Sequence, residues 1–351
     1  MAVINYEPLG STDVTTTKTL LHESIPLTGA IVSGTYGTFP DDENIKNYTH
    51  GMFQSVYDYP YLSSSANHIF DLTVGYAKNS PVSGSLNVSM ESKKINIYNE
   101  VSQILLGYTS SANTIRNFET DLTLDQTGSM REAFFVNFSR LLYKDEIKPG
   151  TFCIKLGTGS WSGPFTGAGA AIKTLCDSSA SAVGGRQNTI GGDYGLLYDS
   201  LDNTAKGVVF YQAGIVVLGT ASFNHVTDFN SASAAPAWNV TASLATASIS
   251  SSCDALRHRI YNLSFNNTTE INSTIYFCRV PVNKYNYTAN PTYLSASKIV
   301  VKNEASDTPV SYITTIGLYN ASNELLAIAK LSEPLKKDPS NEITLRVRLD
   351  Y

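Results

Sequence analysis

The sequence predicts a mainly β protein, an antiparallel β-sandwich with long loops and one or two short helices, and three observations carry that reading. Charged residues make up only 16% of the chain, against roughly a quarter in an average globular domain, while Ser, Thr, Asn and Tyr are plentiful. Apolar residues come in short β-branched or aromatic runs separated by Gly, Pro and Asp clusters, the punctuation of strands and turns rather than of a helical bundle. In roughly the last hundred residues, strand-like segments follow one another at the spacing of a sandwich. At 351 residues the chain can build one large β domain or two smaller ones.

Residues 1–20 show no sustained period and many Thr, so they are expected as an extended arm that gains order by lying on another surface, which a second subunit could supply. Residues 21–252 are expected as a β-rich region. Within it, "AIVSGTYG", "FQSVYDYPYL" and "HIFDLTVGYA" read as strands joined by aromatic-rich loops. In "ESKKINIYNEVSQILLGY", Ile95, Val101, Ile104, Leu105 and Tyr108 recur every three to four positions and Gly107 stands near the stop, which predicts a helix near 92–107. "SMREAFFVNFSRLLYKDE" carries two signals: Ser129 with Glu132 matches a capping box, whereas Phe135 opens a strand-like alternation, and the strand is favoured. Pro149-Gly150 predicts a tight turn ahead of a strand in "TFCIKLG". "YGLLYDS" and "GVVFYQAGIVVLG", joined by "LDNTAK", predict an antiparallel hairpin whose near-continuous apolarity implies burial on both faces. The stretch 220–252, poor in charge and rich in small residues, is expected as a long ordered loop with short strands.

Residues 253–351 are expected as an antiparallel β region, separate from or continuous with the region before it. "HRIYNLSF", "STIYFCRVPV", "SKIVVKN", "VSYITTIGLYN" and "ELLAIAKL" each read as a strand, with a turn at "YNASNE". In the final "NEITLRVRLDY", Ile343, Leu345, Val347, Leu349 and Tyr351 should share the core face while Arg346 and Arg348 face water or a partner. That strand is expected to pair inside a sheet, because a free apolar strand is an edge hazard.

The formal charge of −5, with no compensating basic stretch, argues against nucleic acid as a partner. The N-terminal stretch lacks a cationic n-region and an apolar run of about 7–15 residues, so synthesis in a cytoplasm is expected. The longest apolar run, "GVVFYQAGIVVLG", is 13 residues, too short for a membrane helix, and membrane insertion is not expected. Cys153, Cys176, Cys253 and Cys278 lack metal-binding spacing and are expected as small buried hydrophobes.

No chemistry-bearing pattern is complete. "GAGAAIKT" nearly spells a phosphate-cradling loop, but Ile172 occupies the place of the Gly that must precede Lys173-Thr174, so a glycine-rich surface loop is expected. The five histidines at 22, 50, 68, 225 and 258 form no pair that would present two imidazoles on one helical face. No GxSxG elbow is present. Asp58, Asp193 and Asp199 stand beside tyrosines, as on a sugar-binding face, and the two acids of a glycosidase meet only in the fold. No catalytic residue, metal or cofactor is expected, and the chain is not expected to be an enzyme.

In "MFQSVYDYPYLSSSANHIFDLTVGYA", "NEVSQILLGYTSSANTIRNF", "REAFFVNFSRLLYKDEIKPGTFCIKLG", "STIYFCRV…YNYTANPTYLSASKIVVKN" and "TTIGLYN…NELLAIAKLSEPLKKDPSNEITLRVRLDY", the chain resembles virion structural proteins of tailed bacteriophages, especially contractile-tailed phages of cyanobacteria. The resemblance spans most of residues 50–351 and lies in general phrasing rather than in a defining motif. It implies a structural protein of the virion tail, in the baseplate or tail-fibre attachment region, made in the host cytoplasm. Its implied partners are other virion structural proteins, in homo- or hetero-oligomers. Candidate assembly contacts are Tyr6, Trp161, Phe165, Trp238, Arg346 and Arg348, since aromatics and Arg are favoured at contacts. They fall on the arm 1–20, the Gly-rich loop 157–170, the Ser/Ala-rich segment 220–252 and the last strand. One alternative is a carbohydrate-binding or glycan-cleaving tail protein with a host glycan as partner. Another is a neck, capsid-associated or bacterial-surface β-sandwich module.

Overall fold

A computed structural model describes residues 6–28, 43–84, 88–109, 114–161, 163–166, 171–224, 226, 228–229, 239–286, 294–295, 298–299, 306 and 308–351. The fold is mainly β and antiparallel, with helices interspersed. The chain divides into two compact units, Leu21–Thr269 and a second made of Met1–Leu20 with Glu270–Tyr351. No helix among the described residues is long and apolar enough to cross a membrane.

In the larger unit the sheet runs from the first half of strand Ile260–Val280 through Cys153–Gly157, Ile172–Cys176, Gly192–Asp199, Ala205–Phe210, Ile215–Gly219, Glu132–Phe138, His68–Tyr76 and Gln54–Tyr57 to Ile45–Asn47. Neighbours are antiparallel throughout. Consecutive residues of the central strands, Val208-Val209 and Val216-Val217-Leu218, are buried, so both faces of the sheet are covered there, as continuous apolarity requires. The run expected as one long strand is two. Tyr211–Gly214 turns the chain between them, and Gly214 takes φ 64°, a left-handed conformation that glycine adopts without steric cost.

The helix spans Val88–Leu105, starting earlier than its periodicity indicates. Glu91 Oε1 accepts from Gly84 N at 2.6 Å and Ser83 Oγ at 2.8 Å, fixing the chain ahead of the first turn. The helix packs on strand His68–Tyr76 so closely that a Cβ on Gly75 would lie 2.6 Å from the Lys94 carbonyl oxygen. "SMREAFFVNFSRLLYKDE" becomes the strand Glu132–Phe138 followed by a one-turn helix, Arg140–Tyr143.

Two expectations are corrected in this unit. Stretch 220–252 holds helical turns where short strands were expected: a 3-10 turn at Thr220–Phe223 and α-helices at Val240–Thr246 and Ile249–Arg257. Asn239 Oδ1 accepts from Ala242 N at 2.8 Å and Ser248 Oγ from Ser251 N at 3.1 Å, so polar residues that look like loop material are N-caps. The second correction concerns cysteine. Cys153 and Cys176 stand opposite each other on adjacent strands, Cα atoms 4.3 Å apart, and are joined by a disulfide. Their 23-residue separation gives no sign of that pairing, because it is created by the strand register. Cys253 is buried as expected and Cys278 is half-buried.

In the smaller unit, Ser273–Val280 pairs with the last strand, Ile343–Asp350. "HRIYNLSF" and "STIYFCRVPV" are thus one continuous strand, Ile260–Val280, rather than two. Ile343, Leu345, Val347 and Leu349 do lie on the less exposed face, but only Val347 is buried and Tyr351 is exposed. The pairing continues to the last residue: Tyr351 N donates to Asn272 O at 2.8 Å and Asn272 N to Tyr351 O at 3.0 Å. Ser311–Tyr319 and Leu325–Lys337 form a hairpin. Its turn is organised by Asn320, whose Oδ1 accepts from Ser322 N and Glu324 N at 2.9 and 2.8 Å. Of "SKIVVKN", only Lys298 and Ile299 are described, as a short strand.

The N-terminal stretch lies on its own chain. Glu7 pairs with Lys284 at 2.6 Å, Asp13 with Arg279 at 2.8 Å and Lys18 with Glu270 at 2.7 Å. Extended backbone without a hydrophobic period can be held in this way, by ion pairs and strand hydrogen bonds rather than by burial.

Candidate assembly surface

The hairpin Ser311–Tyr319/Leu325–Lys337 places alternate side chains on opposite faces. Ile313, Ile316, Leu318, Ala327, Ala329 and Leu331 lie on the half-buried face. The other face carries Tyr312, Tyr319, Leu326 and Ile328; Leu326 is 69% exposed and Ile328 57%. Strand Ser311–Tyr319 has no charged residue, whereas the longer strand exposes Lys330, Glu333 and Lys336. At the base, the buried Lys337 ammonium donates to Asn286 Oδ1 at 2.6 Å, Asp338 O at 2.8 Å and Val282 O at 3.3 Å. Three donors meet three acceptors, which fixes the ribbon at one end while its apolar face stays in solvent.

Tyr6 adds to this face, its ring edge-on to Tyr319 with centroids 4.9 Å apart. Arg346 and Arg348 are exposed on the last strand. Arg348 donates to Asp350 Oδ1 at 2.7 Å and to Ser273 Oγ at 3.0 Å, so its guanidinium is oriented along the strand pair.

Trp161 and Phe165 belong to the larger unit and are half-buried. Trp161 stacks on His258 with ring centroids 4.0 Å apart; its backbone N–H donates to Asp228 Oδ2 at 2.7 Å and its backbone carbonyl oxygen meets His258 Nε2 at 2.8 Å. Burial holds the His258 pKa below its ordinary value against the opposing pull of that carbonyl. Phe165 packs on Tyr261 at 5.2 Å. These two aromatics are thus engaged internally. Trp238 lies outside the described residues.

The lysine and the aspartates weighed for chemistry are each committed locally, while His225 lies outside the described residues. Lys173, the lysine of the near phosphate motif, is in strand Ile172–Cys176 and wholly buried, its ammonium 2.7 Å from Asp199 Oδ2, itself buried. A lysine facing inward from a strand cannot serve a phosphate loop. Asp58 accepts from Asn67 N at 2.6 Å and from Asn67 Nδ2 at 2.8 Å, and Asp193 from Asn188 Nδ2 at 2.6 Å.

One cluster has no counterpart in the sequence reading. Glu119, Asp121 and Asp125 bring a carboxylate oxygen apiece to within 4.8 Å of one another. Their spacing lies inside a single loop, but Glu119 belongs to a strand and Asp125 to a turn, so sequence alone does not show that they converge. Burial raises the Glu119 pKa, partly offset by the Gln126 N–H, while Thr127 lowers that of Asp125.

No protein-family model, no curated protein and no solved structure matches the chain.

Proposed function

We propose that the protein is a structural component of a tailed-phage virion, located in the tail baseplate or the tail-fibre attachment region. It works through contacts with other virion proteins or further copies of itself. The observation that supports this reading best is the outward apolar face of the hairpin 311–337. Its exposed apolar residues Tyr319, Leu325, Leu326 and Ile328 cluster at the turn end, with exposed Lys330, Glu333 and Lys336 farther along the longer strand, the arrangement of an apolar contact patch with a charged rim. Contiguous exposed apolar residues in an otherwise polar surface mark interaction sites.

The glycan-binding reading rests on the Tyr/Asp clusters around 57–61 and 193–199; Asp58, Asp193 and Asp199 are held in local hydrogen bonds or ion pairs, and the exposed rings of Tyr59 and Tyr61 are what supports it. Mass spectrometry of purified virions tests the assembly reading, which falls if the protein is absent from the particle. A Leu326→Glu/Ile328→Glu double variant should stay soluble and fold yet fail to enter particles; incorporation at the unsubstituted level would remove the hairpin as the contact.

A further inference from the structure

Phe118–Glu119 and Ser129–Met130 pair antiparallel, so residues 120–128 close a ladder of only two rungs. The ladder is anchored to helix Val88–Leu105 by one side chain: the Tyr98 hydroxyl accepts from Phe118 N at 3.1 Å and donates to Met130 O at 2.6 Å. Into this loop the chain places three carboxylates whose ligand oxygens lie within 4.8 Å of one another. Mutual repulsion alone would spread them apart.

The second observation concerns Glu119 itself. Its residue is 2% exposed. Oε1 accepts from Gln126 N at 3.0 Å and from Gln126 Nε2 at 2.9 Å, whereas Oε2 is sealed from solvent and has no donor among the described residues. A buried carboxylate oxygen left without a donor is costly, and the nearby acids are acceptors that cannot supply one. A cation satisfies both conditions at once. Asp121 and Asp125 each use Oδ1 for a turn hydrogen bond, to Thr123 N at 2.9 Å and Thr127 N at 2.8 Å, which leaves the second oxygen of each outside those bonds.

We infer that the loop formed by Glu119, Asp121 and Asp125 binds a calcium ion. The donors are all hard oxygens, without nitrogen or sulfur, which selects calcium or magnesium over zinc or copper. Calcium takes oxygen ligands at about 2.3–2.6 Å, so two ligands of one ion stand at most roughly 5 Å apart, and the cluster fits inside that span. Magnesium holds its ligands at about 2.0–2.1 Å in a stricter octahedron, a poorer match to carboxylates set on a strand and a loop. Asp125 is exposed and gives the ion a path from solvent.

Calorimetric titration of the full chain, stripped with EDTA and desalted, tests this. Calcium chloride should give a saturable event of one ion per chain, with magnesium chloride weaker by about tenfold or more. Asp125→Asn, at an exposed position, should keep the fold and weaken calcium binding by about tenfold or more. Terbium provides an independent readout, since the Tyr194 hydroxyl lies 3.4 Å from the Asp121 carbonyl oxygen. Tyrosine-excited terbium luminescence should appear on binding, be displaced by calcium and fall in Tyr194→Phe. Absence of calcium heat at millimolar concentrations overturns the inference, as does equal binding in Asp125→Asn or luminescence indifferent to Tyr194.

Discussion

Lys94 is wholly buried in helix Val88–Leu105, and its ammonium donates to Leu244 O at 2.5 Å and Ala247 O at 2.7 Å. It therefore closes the C-terminal end of helix Val240–Thr246, where unpaired carbonyls and the helix dipole favour a cation. Desolvation nevertheless pulls its pKa down to about 8. Between that value and the ordinary lysine range the unfolded chain binds the extra proton, so stability should rise with pH from about 8 to about 10. Above about 10 the buried tyrosines act in the opposite sense. Tyr76, raised to about 12, and Tyr98, Tyr194 and Tyr211, raised further by burial, keep their protons in the folded state while the unfolded chain loses them. Urea midpoints across this range should show a maximum near pH 10, and Lys94→Met should abolish the rising limb. The buried Lys173–Asp199 pair predicts a different signature. Lys173→Met alone leaves a buried charge uncompensated and should cost about 3–5 kcal/mol, whereas Lys173→Met/Asp199→Leu should recover most of that loss. Chemical denaturation of the three proteins gives the comparison.

At the scale of elements, legibility followed burial. Strands covered on both faces announced themselves, as in "GVVFYQAGIVVLG", yet the same uniform apolarity hid the turn at Gly214, because Tyr211 and Ala213 are no less apolar than the strands they separate. Alternation in "NEITLRVRLDY" gave the correct facing of Ile343 to Leu349, although it overstated their burial. The helices at 240–257 escaped notice because small polar residues carry little periodicity and their capping roles depend on where the chain turns. Convergence of Glu119, Asp121 and Asp125, like the meeting of Cys153 and Cys176, depends on register and was invisible for that reason. Packing between elements gives a further test at Gly75, where helix Val88–Leu105 approaches strand His68–Tyr76. A methyl group there would meet the backbone of Lys94 at 2.6 Å, so Gly75→Ala should lower stability by about 1–3 kcal/mol, measured by thermal melting.

Taken whole, the molecule distributes its apolar residues unevenly. Among the described residues, unit Leu21–Thr269 holds nearly all the buried apolar side chains, while the unit containing Glu270–Tyr351 contributes Val280 and Val347 and leaves Tyr312, Leu326 and Ile328 in solvent. Stability drawn from burial should be unequal in proportion. Hydrogen exchange should therefore find strands Ala205–Phe210 and Ile215–Gly219 protected far longer than the hairpin 311–337. Removing residues 342–351 should expose Ser273–Val280 as an unpaired edge and promote aggregation, with the slow-exchanging strands of the larger unit unchanged.

The bond between Cys153 and Cys176 also keeps a record. Reducing surroundings hold thiols apart and disulfides persist where oxidant prevails, so a chain recovered under reducing conditions should be two hydrogen atoms heavier than one recovered under oxidising ones. Intact-mass measurement of chains taken from each would then report whether this single sheet rung is closed, turning a covalent detail into a readout of the redox conditions the chain has met.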